Sequence, residues 1–169
     1  ILHTNPEATI LMDDLGLGVL MEWQRLLKEK EIPNVSFGLF DANKMPLASA
    51  SVDTVSDLGG FDSIGKFGAA RECHRVLKKG GTLYSVNSVV EKEDLGKLPE
   101  QMRKRCSERN QSFFEGILDS LKNVGFRVES NTFLRERELR PEEGDLPREA
   151  DKHGVRLRVK HYCTKAAKE

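Results

Sequence analysis

Apolar residues along this chain change their period several times, and each change marks an element. Ala8-Thr9-Ile10-Leu11-Met12 is a continuous apolar run that stops on Asp13-Asp14 and reads as a strand. Beyond Gly16 and Gly18, the residues Leu20, Trp23 and Leu27 recur at helical spacing, with Trp23 expected on the packed face. Pro33-Asn34 breaks that helix, and Val35 to Phe40 forms a second strand ending on Asp41-Ala42-Asn43. A β-branched run, Val52 to Leu58, reaches Gly59-Gly60, where a backbone without Cβ can turn sharply. From Ile64 the positions Phe67, Ala70, Cys73 or His74, and Leu77 share one helical face. Lys78-Lys79 suits the negative end of that helix, Gly80-Gly81 is expected to terminate it, and Leu83 to Val90 begins a new strand.

The second half is more polar. Glu91 to Glu108 reads as a connector whose Arg103-Lys104-Arg105 cluster is a solvated helix face. Phe114, Ile117 or Leu118, Leu121 and Val124 mark an amphipathic helix, left through Asn123-Val124-Gly125-Phe126. Phe126 and Val128 open another strand, and Val155 to Cys163 alternates apolar with basic residues, as a strand with one solvated face does. Between them, residues 135–153 are dense in charge and hold Pro141, Gly144 and Pro147, which predicts an exposed loop insertion or partly helical excursion.

Strands and helices in this order make an α/β pattern, and in such sheets ligands bind beyond the carboxyl ends of the parallel strands. That rule selects Asp13, Asp14 and Leu15 after the first strand, Asp41 and Ala42 after the second, and Leu58, Gly59 and Gly60 after the third. A carboxylate at such a strand end can accept both hydroxyls of a ribose.

The 169 residues suffice for one domain, 1–169, with a real core. The 27 basic and 27 acidic side chains cancel, so no global field recruits nucleic acid or an anionic membrane. Cys73, Cys106 and Cys163 are odd in number and far apart, which argues against a disulfide framework or a zinc site and for a reducing, cytoplasmic setting. No apolar run is long enough to span a bilayer. His74 is expected to be structural, while His153 and His161 are too isolated to nominate as bases.

The segment Arg71-Glu72-Cys73-His74-Arg75-Val76-Leu77-Lys78-Lys79-Gly80-Gly81-Thr82-Leu83 is similar to the E-x-x-R-V-L-K-P-G-G-x-L element of class I S-adenosylmethionine-dependent methyltransferases, with Lys79 where proline is usual. Asn123-Val124-Gly125-Phe126 resembles the same family's A-G-F, and the likeness spans roughly residues 6–126. It implies a Rossmann-like three-layer α/β sandwich, mostly parallel, with an antiparallel C-terminal strand. It also implies S-adenosylmethionine as cofactor, S-adenosylhomocysteine as product, and a methyl acceptor that neutral net charge inclines toward a small molecule. Asp14, with Asp13 adjacent, falls where the family binds ribose. Asp41 and the Ala42 backbone fall where it binds adenine, and Leu58 and Gly59 where it meets the methionine portion. No unique base is required, and Asp62, Ser63 and Tyr84 are the rim residues to test.

One family element has no counterpart upstream of Asp14: the first strand with its E/D-x-G-x-G-x-G loop. Its place in the family's sheet is between the strands at 8–13 and 53–58. The expectation is a chain that starts in the first helix of a longer protein; the alternative is completion by a homodimer partner or another strand-donating chain. A non-catalytic Rossmann-like interaction or regulatory subunit is the second functional reading.

Overall fold

The computed structural model describes residues 7–61, 66–109 and 116–169. Its contacts divide the chain into two compact units, Ile1–Pro46 and Leu47–Glu169. In the first, β1 (Ile10–Asp13) and β2 (Val35–Gly38) pair in parallel from Ile10 opposite Val35 to Asp13 opposite Gly38, joined by α1 (Leu17–Glu29). β2 stops short of Phe40, because β1 offers no paired residue beyond Asp13. Leu20 is the buried residue of α1, whereas Trp23 is 44% exposed. The core position expected for Trp23 is therefore corrected: spacing identifies a helical face, but a two-stranded sheet is a narrow surface to cover it.

The second unit opens with β3 (Val52–Leu58), α2 (Lys66–Val76) and β4 (Leu77–Val90). Two short helices follow, α3 (Lys92–Gly96) and α4 (Glu100–Arg109), then α5 (Leu118–Asn123) and β5 (Phe126–Glu138). A 3-10 turn (Pro141–Glu143), α6 (Asp145–Lys152) and β6 (Arg158–Lys168) complete it. The sheet order is β3-β4-β6-β5, with β3 parallel to β4 and β6 antiparallel to both neighbours. This is the expected α/β fold with parallel strand pairs and an antiparallel C-terminal strand. Among the described residues, β1 pairs only with β2 and β3 only with β4, so each keeps one open edge.

α2 packs against α5 and β4, and α5 against β5. Ala69, Ala70, Cys73 and Val76 of α2 and Leu121 of α5 are buried, together with Leu77 and Leu83 of β4 and Phe126 of β5. Along β4 the alternation is clear: Leu83, Ser85 and Asn87 are buried, while Tyr84 is exposed.

One sequence expectation is corrected here. Gly80-Gly81 does not end α2, because the helix stops at Val76 and β4 begins at Leu77. The carbonyls of Arg75 and Val76 instead accept the amides of Ala50 and Ser51 at 2.9 and 2.8 Å, a tertiary cap. The glycines serve a bulge between the pairs Val52–Leu77 and Thr54–Thr82. Gly80 has φ +75°, and a Cβ on Gly81 would lie 2.9 Å from the Lys78 carbonyl and 3.0 Å from that of Asp53.

Of the two forms expected for residues 135–153, the partly helical one is present: β5 continues to Glu138, and α6 follows the 3-10 turn. Ala150 joins Val90, Leu98, Val155 and Leu157 in a small core, with Leu139 and Leu146 packed against it. The apolar residues are sparse in sequence but fall on one face of α6, so a segment rich in charge still buries a seam.

Candidate functional site

In the first unit, β1 and β2 leave the sheet side by side. Asp13 is the last residue of β1 opposite Gly38, and the Asp14 amide donates to the Gly38 carbonyl at 3.4 Å. Asp14 Oδ1 accepts the Gly16 amide at 2.7 Å, so this carboxylate also braces the entry to α1. Leu15 is exposed beside it. Three residues beyond β2, Asp41 Oδ1 accepts both the Asn43 amide at 2.8 Å and Asn43 Nδ2 at 2.9 Å, next to half-buried Ala42. Each acid thus spends Oδ1 on its own loop, and Oδ2 of each has no hydrogen-bond partner among the described residues.

In the second unit, β3 ends on Leu58, whose side chain is 84% exposed, and Gly59 takes φ +98°. A residue that sequence reasoning passed over holds this corner. Asp57 Oδ1 accepts the amides of Gly60 at 2.7 Å and Phe61 at 3.3 Å, and its Oδ2 accepts the Ser85 hydroxyl at 2.6 Å. Burial pushes the Asp57 carboxyl above its ordinary value, against the lowering effect of these hydrogen bonds. The available signal was the spacing of Asp57 from Gly60, an acid three residues before a glycine at a strand exit. Tyr84 is exposed one residue before Ser85; Asp62 and Ser63 lie outside the described residues.

The structure therefore brings Asp13, Asp14, Leu15, Asp41 and Ala42 to one end of the first unit's parallel pair. It places Leu58, Gly59 and Gly60 at the corresponding end of β3 in the second. In the first unit, a carboxylate oxygen without a partner at each of two strand exits suits a ligand with hydroxyl or amino donors. In the second, the positive-φ corner at Gly59 lets a ligand approach the backbone closely. Among the described residues there is no cluster of His, Cys, Asp and Glu able to hold a metal ion. No helix among them is long and apolar enough to cross a membrane.

Residues 7–85 match the family model described as a methyltransferase domain. The chain has the fold of the class I S-adenosylmethionine-dependent methyltransferases. A protein of Bacillus halodurans assigned as a methyltransferase superposes with a TM-score of 0.74 at 16% identity, over 95% of this chain and 83% of that one. Geranyl diphosphate methyltransferase, solved with S-adenosylmethionine, aligns with a TM-score of 0.68 at 13% identity, over 99% of this chain and 71% of its own. The [4+2]-cyclase SpnF aligns with a TM-score of 0.61 at 15% identity, covering 99% of this chain and 69% of its own. No curated protein matches the sequence. A fold that includes both a methyltransferase and a cyclase does not itself specify a reaction.

Proposed function

We propose that this protein binds S-adenosylmethionine and transfers its methyl group to a small-molecule acceptor. The observation that carries the reading is the reach of the methyltransferase family match, residues 7–85, which takes in all three strand exits. Asp14 would hold the ribose hydroxyls through its remaining carboxylate oxygen, with Asp13 adjacent. Asp41 and the Ala42 amide would meet the adenine edge. Leu58, Gly59 and Gly60 would pack on the methionine portion, where the exposed Leu58 side chain and the positive-φ turn leave room for close approach.

The cofactor when bound supplies an already activated methyl group, so the chain's task is to position the acceptor and exclude water. Equal numbers of acidic and basic residues favour a small acceptor over a polyanion. Calorimetric titration with S-adenosylhomocysteine tests the reading: saturable binding supports it, and absence of binding at millimolar ligand refutes it.

A further inference from the structure

A cavity of about 280 Å³ lies in the second unit, between β4, β5 and β6 on one side and the start of α5 on the other. Its walls include Val89, Ile117 and Leu118, together with Tyr162, whose ring stands edge-on to Phe133 at a centroid distance of 5.9 Å. Its polar lining holds Asp119, Lys122 and two carboxamides, Asn87 and Asn131, which reach the same hydroxyl from opposite sides.

Hydrogen bonding sets how these amides face the cavity. Thr164 Oγ1 donates its one proton to Asn131 Oδ1 at 2.8 Å, so toward Asn87 it can only accept. Asn87 Nδ2 supplies that bond at 2.9 Å and a longer one to the Ser85 carbonyl at 3.4 Å. Asn87 as a whole is 3% exposed, and its Oδ1, which has no hydrogen-bond partner among the described residues, is not one of the fully buried atoms and is open to a ligand. Asn131 Nδ2 is similarly uncommitted. The cavity thus presents an acceptor and a donor as neighbours, both pinned through Thr164.

We infer that this cavity is a binding site for a small planar molecule carrying a carboxamide or lactam edge. The ligand N–H would donate to Asn87 Oδ1 and its carbonyl would accept from Asn131 Nδ2, while its ring would lie among Tyr162, Val89, Ile117 and Leu118. A carboxylate of the same shape has no proton for Asn87 Oδ1 and so forfeits one of the two amide bonds, whatever it gains from Lys122 in the lining. A purely apolar ring would leave both amides unmet. The inference does not depend on cofactor binding at the strand exits.

Benzamide, benzoate and toluene serve as matched probes in titrations of the full chain followed by amide-correlation NMR. Benzamide is expected to saturate in the millimolar range, moving the side-chain NH₂ signals of Asn87 and Asn131 and the Gly116 amide, with toluene at least about tenfold weaker and benzoate, which Lys122 can partly hold, weaker than benzamide. Asn131→Ala, at an exposed position, should weaken benzamide by about tenfold while leaving toluene unchanged. Leu118→Trp should fill the cavity and abolish binding. Unsaturable binding of benzamide, equal binding of toluene, or indifference to Asn131→Ala would each overturn the assignment.

Discussion

Asp57 and Ser85 face each other across the parallel pair β3–β4, and the Ser85 hydroxyl donates to Asp57 Oδ2 at 2.6 Å while Oδ1 secures the Gly60 amide. One half-buried carboxylate therefore ties the β3 exit to the neighbouring strand. Asp57→Ala leaves the Gly60 amide and the Ser85 hydroxyl without this acceptor and should cost about 1–3 kcal/mol in urea unfolding. Asp57→Asn retains an acceptor for Gly60 and should cost less. The carboxyl's raised value adds a pH signature. The folded state holds this proton more tightly than the unfolded chain, so Asp57 favours folding at low pH and that contribution is lost as pH rises through its folded value. The deficit of Asp57→Asn relative to the parent should therefore shrink as pH rises above the ordinary value of 3.8.

Asp94 is pushed the opposite way. Its side chain is 2% exposed and accepts the Arg158 backbone amide at 3.0 Å, Arg158 Nε at 2.9 Å and Lys97 Nζ at 2.9 Å, linking α3 to the start of β6. The hydrogen bonds from Arg158, opposed by burial, hold its carboxyl well below the usual carboxylate range. Here the folded state resists protonation, so the stabilisation is present above the ordinary value of 3.8 and is lost as pH falls below it. Asp94→Asn should cost about 1–3 kcal/mol at neutral pH by urea unfolding and should flatten the acid limb of the stability profile.

His161 should make the second unit sensitive to mild acid. Its Nδ1 bonds the Ser88 hydroxyl at 2.9 Å, and its buried Nε2 has no hydrogen-bond partner among the described residues. Burial first, and then the charges of Arg135 and Arg137, lower its value below the ordinary 6.5. Protonation is thus easier in the unfolded chain, and stability should decline as pH falls through about 6.5. His161→Gln should decline less steeply over the same range. The remaining slope should reflect His74, whose value is also lowered by burial and by Lys168. Thermal melts of both proteins at stepped pH provide the comparison.

For the proposed cofactor site, Asp14→Ala and Asp41→Ala should each weaken S-adenosylhomocysteine binding by about 1–3 kcal/mol in calorimetry. Asp14 also braces the Gly16 amide, so Asp14→Asn separates the two roles. The amide oxygen can preserve that local bond while the charge is lost. Weakened binding with Asn identifies a ligand contact, whereas weakening with Ala alone identifies a loop effect.

Period and punctuation alone made β1, α1, β3, α2 and the start of β5 legible, because each carries an apolar pattern bounded by Gly, Pro or an acid. The exits at Asp14, Asp41 and Gly59 were equally legible, since a strand's carboxyl end follows from chain direction. Other features depended on neighbours. Trp23 has helical spacing, but its burial depends on what covers α1. Gly80-Gly81 looks like a helix stop, yet the stop is made by Ala50 and Ser51, 25 residues upstream of the helix end they cap. Residues 145–152 left loop and partial helix both open, and the choice follows from the surface that Val90 and Leu157 provide for Ala150.

By itself, the sequence determined the order of strands and helices, the near balance of charge, and the acids and glycines at the strand exits, because these depend on local period and chain direction. Tertiary structure alone decided that Asp57 meets Ser85, that Asp94 meets Arg158, and that Asn87, Thr164 and Asn131 form one hydrogen-bonded row. Those partners lie far apart along the chain, and strand register brings them together. Burial then sets how strongly each unmet charge or lone pair is felt.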